Sequence, residues 1–322
     1  MPLTHVRTFH VRYYECDAYG HVNYANYLRY MQEAAFDATA AAGYDLARYE
    51  AMGRYWLARE TDIEYLRPLR YGDSVQVKTW VADFRRIRSR RAYEFRRFDP
   101  STELRTGGAY HGQAESGELV ARAHTDWVFL DSATLRPTPI PQELLAAFFP
   151  EGLPDPAPPR PRFPSAPPPP PGVFRLRRRV EWRDIGPEQH VNNAVYLSYL
   201  EDCGVQVAAA HGWPMSRVQA EGFAIVARRH RIEYRQPAVL DDELELATWL
   251  SDVKRATVVR HYTVTRVSDG ALLARARTLW VWVDLKTGRP IRIPDAFLAG
   301  FAPNIAGGFP DRSERLESPP AI

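Results

Sequence analysis

Apolar positions along the chain first recur at helical spacing and then alternate. Within residues 25–42, apolar residues recur at the spacing of a helix, and Asn23 is placed as an N-cap and Gly43 as a stop. This pattern predicts one long helix. From residue 55 onward, the stretches SVQVKTWVADF, RRAYEFRRF and LVARAHTDWVFLD alternate and are rich in β-branched and aromatic residues. The pattern predicts a helix followed by antiparallel strands. Because strands do not alternate with helices, a doubly wound parallel sheet is disfavoured.

The chain then repeats this pattern. The segment GHVNYANYLRYMQEA matches QHVNNAVYLSYLEDC in the second half, and one constant offset pairs His21 with His190 and Asn23 with Asn192. At the same offset IEYLRP matches IEYRQP and TWVADFRR matches TWLSDVKR. After an insertion around residues 98–118, ARAHTDWVFLD matches ARARTLWVWVD. Because each copy has the size of a domain rather than of a solenoid unit, a duplication explains the pattern.

Proline separates the two copies. Residues 150–172 are so rich in proline that neither a helix nor a central strand can form, which predicts an extended, semi-rigid linker. We therefore expect a first domain over residues 1–149, a second domain over residues 173–303, and a disordered tail over residues 304–322.

Composition and charge narrow the classes of function. Among 322 residues, 42 Lys and Arg stand against 39 Asp and Glu, so the net charge of +3 does not indicate a nucleic-acid-binding protein. No apolar run has the length of a signal peptide or a membrane span, which predicts a cytoplasmic protein. Cys16 and Cys203 are the only cysteines, and we expect no disulfide framework, metal site or cofactor.

The residues around the predicted helix starts carry a family resemblance. The pattern ECDAYGHVNYANYLRYMQEA, followed by EYLRPLRYGDSV, resembles hotdog-fold thioesterases of the 4-hydroxybenzoyl-CoA and acyl-CoA thioesterase type. The second half, DIGPEQHVNNAVYLSYLEDC with RIEYRQPAVLDDELEL, is similar to the same family and to the C-terminal half of plant-type acyl-ACP thioesterases. The resemblance implies an α+β tandem double hotdog, in which each half is an antiparallel sheet wrapped around a central helix. It also implies an internal pseudodimer with active sites where the halves meet, and further homo-oligomerisation is possible but not required.

The chemistry of a thioester fits the residues before the first helix. A thiol with a pKa of about 8.5 leaves as thiolate, so hydrolysis mainly needs a polarised carbonyl and an oxygen nucleophile. A helix N-terminus suits a developing oxyanion, and the backbone N–H of Tyr24 is the candidate donor. Asp17 can act as a general base on water or attack the carbonyl itself, while His21 and Asn23 orient water or the carboxylate. The same residue types also cap helices, so a structural role for Asp17 and Asn23 stays open.

The second copy departs from this pattern at its most important position. At the constant offset, Gly186 replaces the aspartate of the first copy. The nearest carboxylates are those of Asp184 and Glu188, and either can serve a second site beside His190 and Asn192. The third interpretation is that the second copy has lost catalysis. Between the two carboxylates, we expect Asp184 to be the second catalytic candidate.

Two sets of side chains are candidate substrate contacts. Arg86, Arg88 and Arg90 would lie on one face of a strand, where they suit the phosphates of coenzyme A or the acidic face of an acyl carrier protein. Alternatively, the arginine run is a solvated sheet edge that discourages pairing with another strand. Tyr27 and Tyr196, at helical spacing, fit either packing or the wall of an acyl pocket.

These observations together predict a thioester hydrolase. We expect an acyl-CoA thioesterase that releases free acid and thiol, with an acyl-ACP thioesterase as the alternative. An alternative of another class is a non-catalytic acyl-CoA binding module, in which Asp17 is dispensable. A hotdog hydratase is disfavoured, because its GDxNPxH-like motif does not occur.

Overall fold

A computed structural model describes residues 2–98, 117–152 and 160–308. It contains two compact units, Met1–Pro161 and Arg162–Ile322, which divide within the proline-rich segment. The insertion predicted around residues 98–118 lies almost wholly outside the described residues. Within the described ranges, no helix is both long enough and apolar enough to cross a bilayer.

The first unit is an antiparallel sheet with a long helix against it. The strands are β1 (Thr4–His10), β2 (Arg54–Tyr65), β3 (Ser74–Arg85), β4 (Arg88–Phe98) and β5 (Glu118–Asp131). The helices are α1 (Tyr24–Ala41), α2 (Leu46–Ala51) and α3 (Gln142–Phe148). The strands lie in the spatial order β1-β3-β4-β5-β2, and the long helix α1 packs against β1 and β3.

The second unit repeats this arrangement. Its strands are β6 (Phe174–Arg179), β7 (Phe223–Tyr234), β8 (Glu243–Ser251), β9 (Thr257–Arg266) and β10 (Leu272–Asp284). Its helices are α4 (Asn193–Ala210), α5 (Met215–Ala220) and α6 (Asp295–Phe301). The spatial order β6-β8-β9-β10-β7 is that of the first unit, and the long helix α4 packs against β8. The two copies seen in the sequence therefore have the same strand order.

The two long helices begin at the residues that the sequence predicts. The side chain of Asn23 accepts a hydrogen bond from the N–H of Ala25 (3.0 Å), and Asn192 accepts one from Ala194 (2.9 Å). Both asparagines are thus N-caps, because each satisfies a backbone donor of the first turn. After α1, Gly43 has φ +80°, the left-handed conformation that ends many helices.

A buried arginine anchors the proline-rich segment to the first unit. Arg160 forms ion pairs with Asp83 and with Asp126, whose Oδ1 lies 3.2 Å from Nη1. All three side chains are about one-tenth exposed. Burial lowers the pKa of Arg160 to about 10, which still leaves the guanidinium charged near neutral pH. The described part of the predicted linker is therefore fixed to the sheet at this point.

The second unit extends beyond residue 303, where the sequence predicts that a disordered tail begins. Asn304 is fully buried, and its Nδ2 donates to the carbonyl oxygens of Gly172 and Thr248, both at 3.0 Å. Ile305 is buried as well and forms a parallel bridge with Leu250 at the end of β8. The predicted boundary at residue 303 is corrected by these contacts, and residues 309–322 lie outside the described residues.

Two histidines in the second unit make folding sensitive to acid. Burial lowers the pKa of His230 to about 3, and burial together with the nearby Arg277 lowers the pKa of His261 to about 4. Below the ordinary pKa of 6.5 the unfolded chain binds more protons than the folded one, so the free energy of unfolding falls as pH falls. We expect a lower urea midpoint at about pH 5 than at about pH 7, and a smaller difference for His230→Leu. The same difference in both proteins would contradict this prediction.

Candidate active site

A tight turn holds Asp17 directly before α1. The N–H of Asp17 donates to the carbonyl of His21 (2.7 Å), and the N–H of Gly20 donates back to the carbonyl of Asp17 (2.9 Å). Gly20 has φ +73°, a conformation that glycine adopts without a steric penalty. An antiparallel bridge between Cys16 and Val22 closes the base of the turn. The backbone therefore fixes where the Asp17 side chain begins.

The carboxylate of Asp17 is oriented through one of its two oxygens. Oδ1 accepts hydrogen bonds from the backbone N–H groups of Tyr19 (2.8 Å) and His21 (3.1 Å). The side chain is half-buried, and no donor among the described residues contacts Oδ2. One oxygen is thus held by the turn while the other can accept a proton or attack a carbonyl carbon.

His21 is uncharged near neutral pH. Burial of its half-buried ring lowers the pKa below 6.5, and the charge of Arg70 acts in the same direction while Asp17 opposes it. A neutral imidazole can donate one hydrogen bond and accept another. His21 is therefore suited to orienting water or substrate rather than to neutralising an anion.

A buried carboxylate that sequence reasoning did not single out fixes the start of α1. Oε2 of Glu15 accepts hydrogen bonds from the N–H of Arg12 (2.7 Å) and the hydroxyl of Tyr30 (2.6 Å). Its carbonyl oxygen accepts from the N–H of Asn23 (2.9 Å) and from Nδ2 of Asn26 (2.8 Å). These bonds join the loop to the helix N-terminus, so Glu15 positions the site without facing it.

Asp184 has the same anchoring position in the second copy. It is 7% exposed, and its Oδ2 accepts from the hydroxyl of Tyr199 (2.7 Å) and the N–H of Glu181 (2.9 Å). Asp184 therefore corresponds to Glu15 and not to Asp17, which corrects its selection as the second catalytic candidate. At the constant offset the sequence already pairs these two acids, and their tyrosine partners, with each other.

The turn itself is kept in the second copy. The N–H of Gly186 donates to the carbonyl of His190 (2.9 Å), and the N–H of Gln189 donates to the carbonyl of Gly186 (3.0 Å). Gln189 has φ +62°, as Gly20 does in the first copy at +73°. Nδ1 of His190 lies 3.2 Å from the carbonyl oxygen of Val191, to which it can donate. Neither turn, nor any other described part of the chain, gathers three His, Cys, Asp or Glu side chains able to hold a metal ion.

The arginine run does not form the basic face that the sequence predicts. Arg86 lies in the turn between β3 and β4 rather than in a strand. Arg90 makes two bonds to Asp126, from Nε to Oδ1 (2.6 Å) and from Nη2 to Oδ2 (2.8 Å), and only Arg88 stays exposed within β4. The physical reason is cross-strand pairing, since Arg90 stands opposite Asp83 on one side and Asp126 on the other.

The same run also lies far from Asp17 within its own unit. The Asp17 loop is joined to the start of β3, where the N–H of Val11 donates to the carbonyl of Asp73 (2.9 Å). The arginines begin at the opposite end of this strand, whose 12 residues span roughly 35 Å. This separation disfavours Arg86, Arg88 and Arg90 as contacts for a substrate held at Asp17 of the same copy.

Tyr27 and Tyr196 belong to the cores of their units. Tyr27 is 2% exposed, and its ring contacts those of Tyr65 and Phe95 at centroid distances of 5.1 and 5.4 Å. Tyr196 packs in the same way on Tyr234 (5.4 Å), and burial raises its pKa to about 12. Both rings therefore pack within the core, so the structure favours packing over a role in lining an acyl pocket.

Comparison with known proteins identifies one family. The profile described as the thioesterase-like superfamily matches residues 11–148 and 180–301. The chain is 29% identical over 129 residues to the acyl-CoA thioester hydrolase YbgC of Escherichia coli O6:H1, which covers 40% of this chain and 96% of that protein. It is 24% identical over 289 residues to the chloroplastic palmitoyl-acyl carrier protein thioesterase of Gossypium hirsutum, which covers 85% of this chain and 63% of that protein.

A solved structure has the same fold over most of the chain. The 12:0-ACP thioesterase from Umbellularia californica superposes with a TM-score of 0.63 at 20% identity, over 86% of this chain and 93% of that chain. At this level of identity the likeness shows the fold. The prediction of a tandem double hotdog is confirmed.

Proposed function

The chain belongs to the thioesterase-like superfamily and is a thioester hydrolase, and we propose that it hydrolyses acyl-CoA through Asp17. The similarity to YbgC, an acyl-CoA thioester hydrolase, supports acyl-CoA as the substrate. The observation that carries the assignment of Asp17 is its carboxylate, which is held by two backbone N–H groups through Oδ1 and leaves Oδ2 for chemistry.

The proposed reaction uses Oδ2 and the N-terminus of α1. Oδ2 of Asp17 takes a proton from water as the water oxygen bonds to the thioester carbon, and the carbonyl oxygen becomes an oxyanion. The positive end of α1, whose first residue is Tyr24, stabilises that oxyanion. The C–S bond then breaks, and the thiol leaves as thiolate. In the second form of the mechanism, Oδ2 attacks the carbon itself and water hydrolyses the resulting anhydride.

The neighbouring residues have supporting roles in this proposal. Neutral His21 orients the attacking water, and Asn23 keeps the first turn of α1 in place through its bond to Ala25. In the second copy, His190 and Asn192 occupy the matching positions. A cytoplasmic location stays a prediction of the sequence.

An acyl-ACP thioesterase is the second candidate, because the match to the palmitoyl-acyl carrier protein thioesterase extends over 85% of this chain. Release of free thiol from acyl-CoAs of graded chain length and from one aryl-CoA, beside the same acyl groups on acyl carrier protein, separates the candidates. We expect the higher kcat/KM with a CoA ester. A higher value with every carrier-protein ester would assign the second candidate, and no thiol from either class of ester would contradict the proposed function.

A further inference from the structure

The second copy keeps the catalytic turn without its aspartate, and we propose that Glu188 supplies the missing carboxylate there. This inference rests on the thioester hydrolysis proposed above and adds a second reacting site to the same chain. It differs from the sequence-based expectation, which took Asp184 as the stronger candidate of the two.

The backbone around the missing side chain is the same in both copies. The N–H of Asn23 donates to the carbonyl of Glu15 (2.9 Å), and the N–H of Asn192 donates to the carbonyl of Asp184 (3.0 Å). One residue earlier in each copy, the N–H of Val22 donates to the carbonyl of Leu69 (2.8 Å), and the N–H of Val191 donates to the carbonyl of Ala238 (2.9 Å). A side chain attached at residue 186 would therefore project as that of Asp17 does.

The Glu188 carboxylate lies where a side chain at residue 186 would begin. A Cβ atom built on Gly186 would lie 2.9 Å from Oε2 of Glu188 and 3.9 Å from Nδ2 of Asn192. The backbone of Gly186 is outside the left-handed region, so its conformation allows an ordinary side chain there, and the Glu188 carboxylate is the group that would have to move. The glutamate side chain is one methylene longer than that of aspartate, and from residue 188 it brings a carboxylate close to the position that the Asp17 side chain has in the first copy.

The surroundings suit a reacting group. Glu188 is exposed, and no donor among the described residues holds its carboxylate, whereas the acid of Asp184 is buried and bonded twice. The Asn192 N-cap puts the start of α4 beside the turn, as Asn23 does for α1. Because no backbone N–H orients Glu188 as Asp17 is oriented, we expect the second copy to turn over more slowly than the first.

Four proteins test the proposal with acyl-CoA as substrate: wild type, Asp17→Asn, Glu188→Gln, and the variant that combines both. We expect Asp17→Asn to retain measurable thiol release and the combined variant to lose a further factor of at least about 10². Glu221→Gln in the Asp17→Asn background is the matched control, because Glu221 is also an exposed glutamate of the second unit, in an ion pair with Arg217. It should leave the residual rate unchanged.

Each outcome has a separate meaning. Equal rates for Asp17→Asn and the combined variant, with unchanged thermal unfolding, would overturn the role of Glu188 while leaving the proposed function intact. The absence of thiol release from wild type would instead contradict the proposed function. Since Glu188 is exposed, its amide variant is expected to fold, and a thermal melt confirms that any loss of rate is chemical.

Discussion

In a chain that already carries Glu188→Gln, replacing Asp17 by Asn is expected to lower kcat by about 10²–10⁴-fold. The amide cannot take a proton from water or form an anhydride, so both forms of the mechanism lose their reacting oxygen. The Glu188→Gln background removes any contribution of the second copy, so the measured change belongs to the first. The measurement is the steady-state rate of thiol release from acyl-CoA.

Asparagine is the most informative replacement for Asp17 because it preserves the turn. Its Oδ1 can still accept from the N–H groups of Tyr19 and His21, which now hold Oδ1 of the aspartate. Affinity for a non-hydrolysable acyl-CoA analogue should therefore stay within about threefold, or roughly 0.7 kcal/mol. The matched control is Asp45→Asn, since Asp45 also accepts from a backbone N–H, that of Arg48 (2.8 Å), as the N-cap of α2. A loss of kcat below tenfold, or an equal loss in the Asp45 control, would remove Asp17 from the mechanism.

Replacing Arg160 by Met is expected to lower the free energy of unfolding by about 3–5 kcal/mol. The substitution leaves the buried Asp83 without its ion pair to Arg160. It also removes one of the two cations bound to Asp126, whose other partner is Arg90. Methionine fills much of the volume, so the loss reports the uncompensated charge rather than a cavity. Urea unfolding followed by tryptophan fluorescence measures the change.

The control for this substitution is Arg162→Met, two positions along the same segment. Arg162 is exposed, and its contact to Arg231 uses only its carbonyl oxygen (3.3 Å), which the substitution keeps. We expect the control to change the free energy of unfolding by about 0.5 kcal/mol or less. A similarly small change for Arg160→Met would show that the buried ion pairs do not hold the proline-rich segment on the sheet.

The repeat allowed much of the fold to be predicted from sequence. Helical spacing, an N-cap and a glycine stop are local signals, so α1 begins after Asn23 and ends before Gly43 as expected. Alternation identifies strands but not their neighbours, so the expectation of a sheet around a central helix came from the family resemblance, and the order of the strands is known only from the structure. The position of Asp17 before the helix is likewise a local property of the chain, whereas the turn that holds it is seen only in the structure.

The remaining features depend on partners that are distant in sequence. Nothing local shows that Arg90 will stand opposite Asp126, which pairs this arginine of the basic run with a carboxylate. The role of Asp184 depends on the hydroxyl of Tyr199, and the burial of Asn304 depends on carbonyl oxygens far along the chain. Glu188 was visible as an alternative in the sequence, but only the geometry at Gly186 favours it.

Thiol release from acyl-CoA by the purified wild-type chain, measured beside direct binding of the same ester, tests the central claim most directly. The proposed function predicts continuous turnover that yields one thiol and one free acid for each ester consumed. Binding of acyl-CoA without release of thiol, from CoA and carrier-protein esters alike, would contradict it and would assign the chain as an acyl-thioester binding module.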